Sequence, residues 1–226
     1  MTAPDDKKQA EFAQIYARLL DEARNRLNSI PTIRRELGPW VPTYVTDESA
    51  YVQLRMVCEL IAIGCLVAHG DIPVTRVGKL LSTKYPTVIM LEMEKLHPDF
   101  YPIPFDQDGE TFTELKTGFL TKPDLLALYD ECGNALHRGT LERVIRGHTK
   151  LPQFERIMKW VNLTTRLIFR HNIRLAQPDR LLQFNVGSKN ATWGVFKEIT
   201  QKQHQVVKDL GPSERLSRLQ HIRRPR

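Results

Sequence analysis

Tyr51–Asp71, YVQLRMVCELIAIGCLVAHGD, and Lys122–Gly139, KPDLLALYDECGNALHRG, decide the fold of this chain. Each reads as an apolar helix carrying polar residues that ordinary packing does not require. In the first, Arg55 and Glu59 interrupt a greasy run at i, i+4, adjacent on a helix surface. In the second, Asp130, Asn134 and His137 fall at i, i+4 and i+7, which puts all three on one stripe. The pattern predicts that the two helices pack with their polar residues in one network. Taking a charge out of water costs on the order of several kcal/mol per ion unless a partner offsets it. Asp130, Asn134, His137 and the following Arg138 are the expected partners of Arg55 and Glu59.

Working outward, Phe12, Ile15, Leu19, Ala23 and Leu27 recur at helical spacing and predict a helix over about Lys7 to Ser29, ended by Pro31. Thr32–Asp47 contains Pro39 and Pro42 and reads as an extended, partly buried connection, with Thr46 or Asp47 capping the next helix. Short helices are expected at Thr75–Leu80 and Thr87–Leu96. Residues 98–117 change character: prolines alternate with aromatics, and DQDG offers a turn, so an inserted hairpin or ordered loop is expected. Thr121 and Asp124 form a capping-box pattern, and Gly139 a stop.

A helix is expected over Leu151–Ile173, after which the period shifts to two. Leu181–Val186 and Thr192–Glu198 then read as strands joined near GSKN. The expected fold is mainly α, an irregular helical bundle with a small C-terminal antiparallel β ribbon at 181–198. Residues 1–200 form one domain, and 201–226 a basic, flexible tail.

Apolar residues are 41% of the chain and charged residues 26%, the balance of a soluble globular protein. No uninterrupted apolar run reaches about 18 residues, and the N-terminus lacks the apolar core of a secretory signal. No membrane partner is expected, and cytoplasmic residence is. Cys58, Cys65 and Cys132 read as small core residues. Neither a paired Cys-x2-Cys nor a cofactor fingerprint occurs, so no metal and no cofactor is expected.

The formal charge is +7. Seven basic residues against Asp209 and Glu214 put +5 of it after residue 200, leaving +2 for the body. RNA is accordingly an expected partner through the basic tail.

His137 carries the candidate chemistry. Histidine acts as acid or base near neutral pH, and arginine stabilises developing phosphoryl charge. With Asn134 orienting substrate and Arg55 or Arg138 clamping the anion, a 2′-hydroxyl could attack its own phosphate without a metal.

On these residues the chain resembles the HEPN domains, helical proteins of toxin, defence and RNA-processing systems. Many of them use an arginine, four to six intervening residues and a histidine to cleave RNA across a dimer interface. The resemblance implies a helical bundle, a homodimer and metal-independent ribonuclease activity. Upstream of His137, positions Asp130, Glu131 and Cys132 hold no arginine. The spacing does occur at Arg143/His148, Arg166/His171 and Arg215/His221, of which Arg166 and His171 are the alternative catalytic pair. Two functions are therefore expected: a helical interaction or regulatory protein that binds a protein partner or its own copy, or an HEPN-like RNA-binding protein or ribonuclease.

Overall fold

The computed structural model describes residues 3–70, 72–78, 80, 82–109, 111–137, 154–177, 180–187 and 190–197. Arg138, the Gly139 stop, the Arg143/His148 and Arg215/His221 spacings and the tail lie outside them. Six helices are described: α1 Ala3–Leu37, α2 Thr43–Ala68, α3 Val74–Val77, α4 Pro86–Leu96, α5 Lys122–Leu136 and α6 Phe154–Phe169. The strands are β1 Ile103–Asp108, β2 Thr111–Glu114, β3 Arg170–Arg174, β4 Arg180–Val186 and β5 Ala191–Lys197. The architecture is the expected one, a mainly helical bundle with a small antiparallel sheet toward the C-terminus.

Helix α1 differs from expectation in length and in face. It runs through Pro31, which stands exposed on its outer side. A proline costs the helix one backbone hydrogen bond and about 3 kcal/mol. Contacts on either side hold the last turns: Leu27 and Ile30 are buried, and Arg34 bonds Thr46 at 2.9 Å and Asp47 at 3.4 Å. Thr46 and Asp47 thus fasten α1 to the first turn of α2 rather than capping it. Burial pushes the Asp47 carboxyl up, and Arg34 offsets this only in part.

The buried face of α1 is Ala13, Tyr16, Ala17, Leu20, Ala23, Leu27 and Ile30, while Ile15 is exposed and Phe12 and Leu19 are half-buried. The alanines bring α1 close to α2. A Cβ at Gly64 of α2 would stand 2.6 Å from the Tyr16 ring, so only glycine fits beneath it.

By length and composition α2 could cross a membrane, yet 56% of its apolar window is buried inside the protein. It is the central helix of the core, packed between α1 and α5. The expected capping box begins α5: the Asp124 amide donates to Thr121 Oγ1, and the Thr121 amide to the Asp124 carboxylate.

The helix expected to reach Ile173 stops at Phe169, and the chain continues directly as β3. His171 and Ile173 alternate inward with Arg170, Asn172 and Arg174 outward, the period-two burial of a strand. This strand joins the hairpin to the terminal ribbon. All five strands form one antiparallel sheet in the order β2-β1-β3-β4-β5. Gly109, at φ +57°, turns the hairpin where DQDG is expected to do so. Helices α1 and α6 pack on the sheet, and one core cluster runs through both layers.

Candidate functional site

Leu125, Leu128 and Cys132 form the inward face of α5 and are fully buried. That orientation fixes the rest of the helix. Asp130, Asn134 and His137 do share one stripe, but it is the stripe farthest from the core, and all three are exposed. Among the described residues, no side-chain hydrogen bond or ion pair links any of them to Arg55 or Glu59. The network expected between these groups is not the one the helices make.

The helices nevertheless meet through polar side chains. Arg55 Nη2 donates to Tyr129 Oη at 2.7 Å, its guanidinium carbon lies 4.3 Å from the centre of the Tyr129 ring, and its Nε is 3.5 Å from Glu59 Oε1. One turn earlier, Tyr51 donates to Glu131 Oε1 at 2.7 Å. Glu131 also accepts from Arg156 Nε at 2.7 Å and Nη2 at 2.6 Å, a two-pronged fork. Trp160 Nε1 completes the set at 3.2 Å. One carboxylate on α5 thus collects donors from α2 and α6 and ties three helices together.

The electrostatics follow from these contacts. Burial pushes the Glu131 carboxyl up, but hydrogen bonds from Arg156, Tyr51 and Trp160 outweigh it and hold the group below the usual glutamate range. The Tyr51 phenol is driven well up, first by burial and then by its bond to Glu131. It remains a donor at any ordinary pH. Burial also pushes the Cys132 thiol up to about 12, so it sits in this seam as a neutral packing group.

Arg55 is held by Tyr129 and Glu59, and its Nη1 lies alongside Gly133 of α5.

The alternative pair does not converge either. Arg166 is exposed and binds Asp106 of β1 at 2.6 Å. His171 is fully buried in β3, beneath α1. Its Nδ1 lies 3.2 Å from the Ile168 carbonyl and its Nε2 2.9 Å from Tyr16 Oη. A carbonyl only accepts, so Nδ1 carries the proton and Nε2 accepts from the phenol. Burial lowers this imidazole to about 4, which keeps it neutral, and Phe184 stacks on it at 5.5 Å.

Tyr51, Tyr129, Glu131, Arg156 and Trp160 are the network members that sequence reasoning missed. A helical projection that places Leu125, Leu128 and Cys132 inward puts Tyr129 and Glu131 on its flanks, so that signal was present. No local spacing announces Arg156, which lies 25 residues from Glu131. Comparisons with protein-family models, with curated proteins and with solved structures find no match to this chain.

Proposed function

We propose that this chain is a helical interaction protein that self-associates through the turn between α1 and α2, while the polar seam only fixes helix packing. The observation that carries this reading is Trp40, 84% exposed, with Leu37 at 48% and Tyr44 at 42% beside it in sequence. Large aromatics left in water on a folded surface are the usual anchors of protein interfaces.

This one is also preorganised. Pro39 and Pro42 fix two φ angles of the turn, and the Gly38, Trp40 and Val41 amides donate to the carbonyls of Arg34 and Leu37 at 2.8–3.1 Å. Little backbone entropy remains to be lost when such a turn docks.

The test is sedimentation of the full chain across roughly a hundredfold range of concentration, alongside Trp40→Ser. The expected result is a reversible dimer for wild type and a monomer of unchanged thermal midpoint for the variant. A wild-type monomer throughout would contradict the proposal. So would metal-independent RNA cleavage that His137→Ala abolishes in a folded protein, because the HEPN-like ribonuclease reading would then take its place.

A further inference from the structure

Helices α1 and α6 pack on the sheet face that carries His171, Ile173, Leu182 and Phe184, all of them buried. Side chains alternate along a strand, so the opposite face carries Arg170 and Asn172 of β3 with their cross-strand neighbours Asn185 and Gln183 of β4. All four are partly exposed. Ile103 pairs with Asn172, which sets Phe105, two residues on, on this same face beside Arg170. The hairpin register brings Phe112 there too, its ring centre 5.4 Å from that of the buried Phe105.

Arg170 is the unanswered group of this face. Its Nε is buried and, among the described residues, has no hydrogen-bond acceptor. No carboxylate among them pairs with the guanidinium, whose carbon lies 5.2 Å from the centre of the Phe169 ring. A donor withdrawn from water and left without an acceptor costs about 1–3 kcal/mol, so an anion at this position is favoured. Phosphate oxygens match the guanidinium fork. Glu114, a carboxylate on the same face, is already held by Arg174 at 3.2 Å and Lys116 at 3.6 Å.

Two phenylalanine rings flank this cation in water: Phe112 is 50% exposed and Phe169 44%. Aromatic rings beside arginine are surfaces on which unstacked bases lie, at about 1–3 kcal/mol per base. Asn172 and Gln183, joined by one hydrogen bond at 3.4 Å, offer amide donors and acceptors to base edges.

We infer that this face of the sheet, centred on Arg170, binds single-stranded nucleic acid, with a phosphate on the guanidinium and bases stacked on Phe112 and Phe169. An acidic peptide would answer the guanidinium but leave both rings in water. A duplex keeps its bases stacked on one another and has none to lay on the rings. The basic tail differs in its preference, because attraction to phosphate grows with charge density and so favours a duplex.

Fluorescence anisotropy of the full chain with a labelled single strand of about 12 nucleotides, as RNA and as DNA, tests this against the matching duplexes at about 0.15 M salt. The wild type is expected to bind a single strand, of one sugar or both, at least about fivefold more tightly than the duplex. Phe112→Ala and Arg170→Gln are each expected to weaken single-strand binding by about tenfold and to leave duplex binding unchanged. Should Arg170→Gln not fold, Phe112→Ala, at an exposed position of the hairpin, decides alone. No single-strand binding, a duplex bound as tightly, or a folded variant that binds the strand like wild type overturns the inference. Polyglutamate bound in place of either strand would make the face a site for acidic protein, and overturns it as well.

Discussion

Glu131→Ala is expected to lower the thermal midpoint by on the order of 5–10 °C, a larger effect than its place near the surface suggests. The substitution removes the acceptor of Tyr51, whose residue surface is 2% exposed, and leaves a buried phenolic hydroxyl without a partner. That alone costs about 1–3 kcal/mol. The Arg156 side chain is 63% exposed, so its half of the ion pair is screened by water and adds only a few tenths of a kcal/mol. The Trp160 N–H is half-buried and adds a smaller penalty. A total of roughly 2–3 kcal/mol corresponds to the stated shift for a chain of this size.

Glu131→Gln keeps an acceptor for Tyr51 and is expected to lose about half as much. Because the folded carboxyl is held low, its contribution is present above the unfolded glutamate pKa and is lost as pH falls through the folded one. Thermal unfolding of the three proteins at pH 7 checks the order. Equal midpoints for wild type and Glu131→Ala would remove the carboxylate as the tie among α2, α5 and α6.

Acidification from pH 6.5 to 4 is expected to cost the fold about 3 kcal/mol at His171 alone. Burial lowers its folded value to about 4 from an ordinary 6.5, and one unit is worth about 1.36 kcal/mol. Below pH 6.5 the unfolded chain takes up a proton that the folded one refuses, so stability falls with pH until both forms are protonated. Urea unfolding from pH 7 to 4 reads this directly. Tyr16→Phe separates the charge effect from packing: it leaves Nε2 buried without its donor and is expected to cost about 1–3 kcal/mol at pH 7. A urea midpoint independent of pH over that range would place a protonated, solvated imidazole at His171.

Much of this fold was legible from local pattern. The capping box of Thr121 and Asp124, the hairpin turn at Gly109 and the strand pair at 180–186 and 191–197 are short-range chemistry, and short-range rules find them. Long-range packing decided what those rules missed. In α1 the expected stripe is buried at Ala23 and Leu27, but before them Ala13, Tyr16, Ala17 and Leu20 turn inward in place of Phe12, Ile15 and Leu19, with the Tyr16 ring seated over Gly64. Pro31 is a helix breaker by propensity, but Arg34 holds the turn after it through residues of the next helix. His171 and Ile173 follow an amphipathic helix at compatible spacing, and pairing with β4 makes them strand.

The polar seam shows the same division. That α2 and α5 meet through hydrophilic side chains was readable, because Arg55 and Glu59 lie inside a greasy run. Which residues of α5 answer them was not. His137 and Asn134 drew attention for their chemistry, while rotation of the helix is set by Leu125, Leu128 and Cys132.

A double-mutant cycle pairing Tyr51→Phe with Glu131→Gln, read as unfolding free energy in urea, interrogates the seam most directly. The two residues are expected to be coupled by on the order of 1 kcal/mol, with Tyr51→Phe and Asn134→Ala additive within about 0.3 kcal/mol. Additivity between Tyr51 and Glu131, or coupling of Tyr51 to Asn134, would mean that the exposed stripe of α5, and not Glu131, joins the helices.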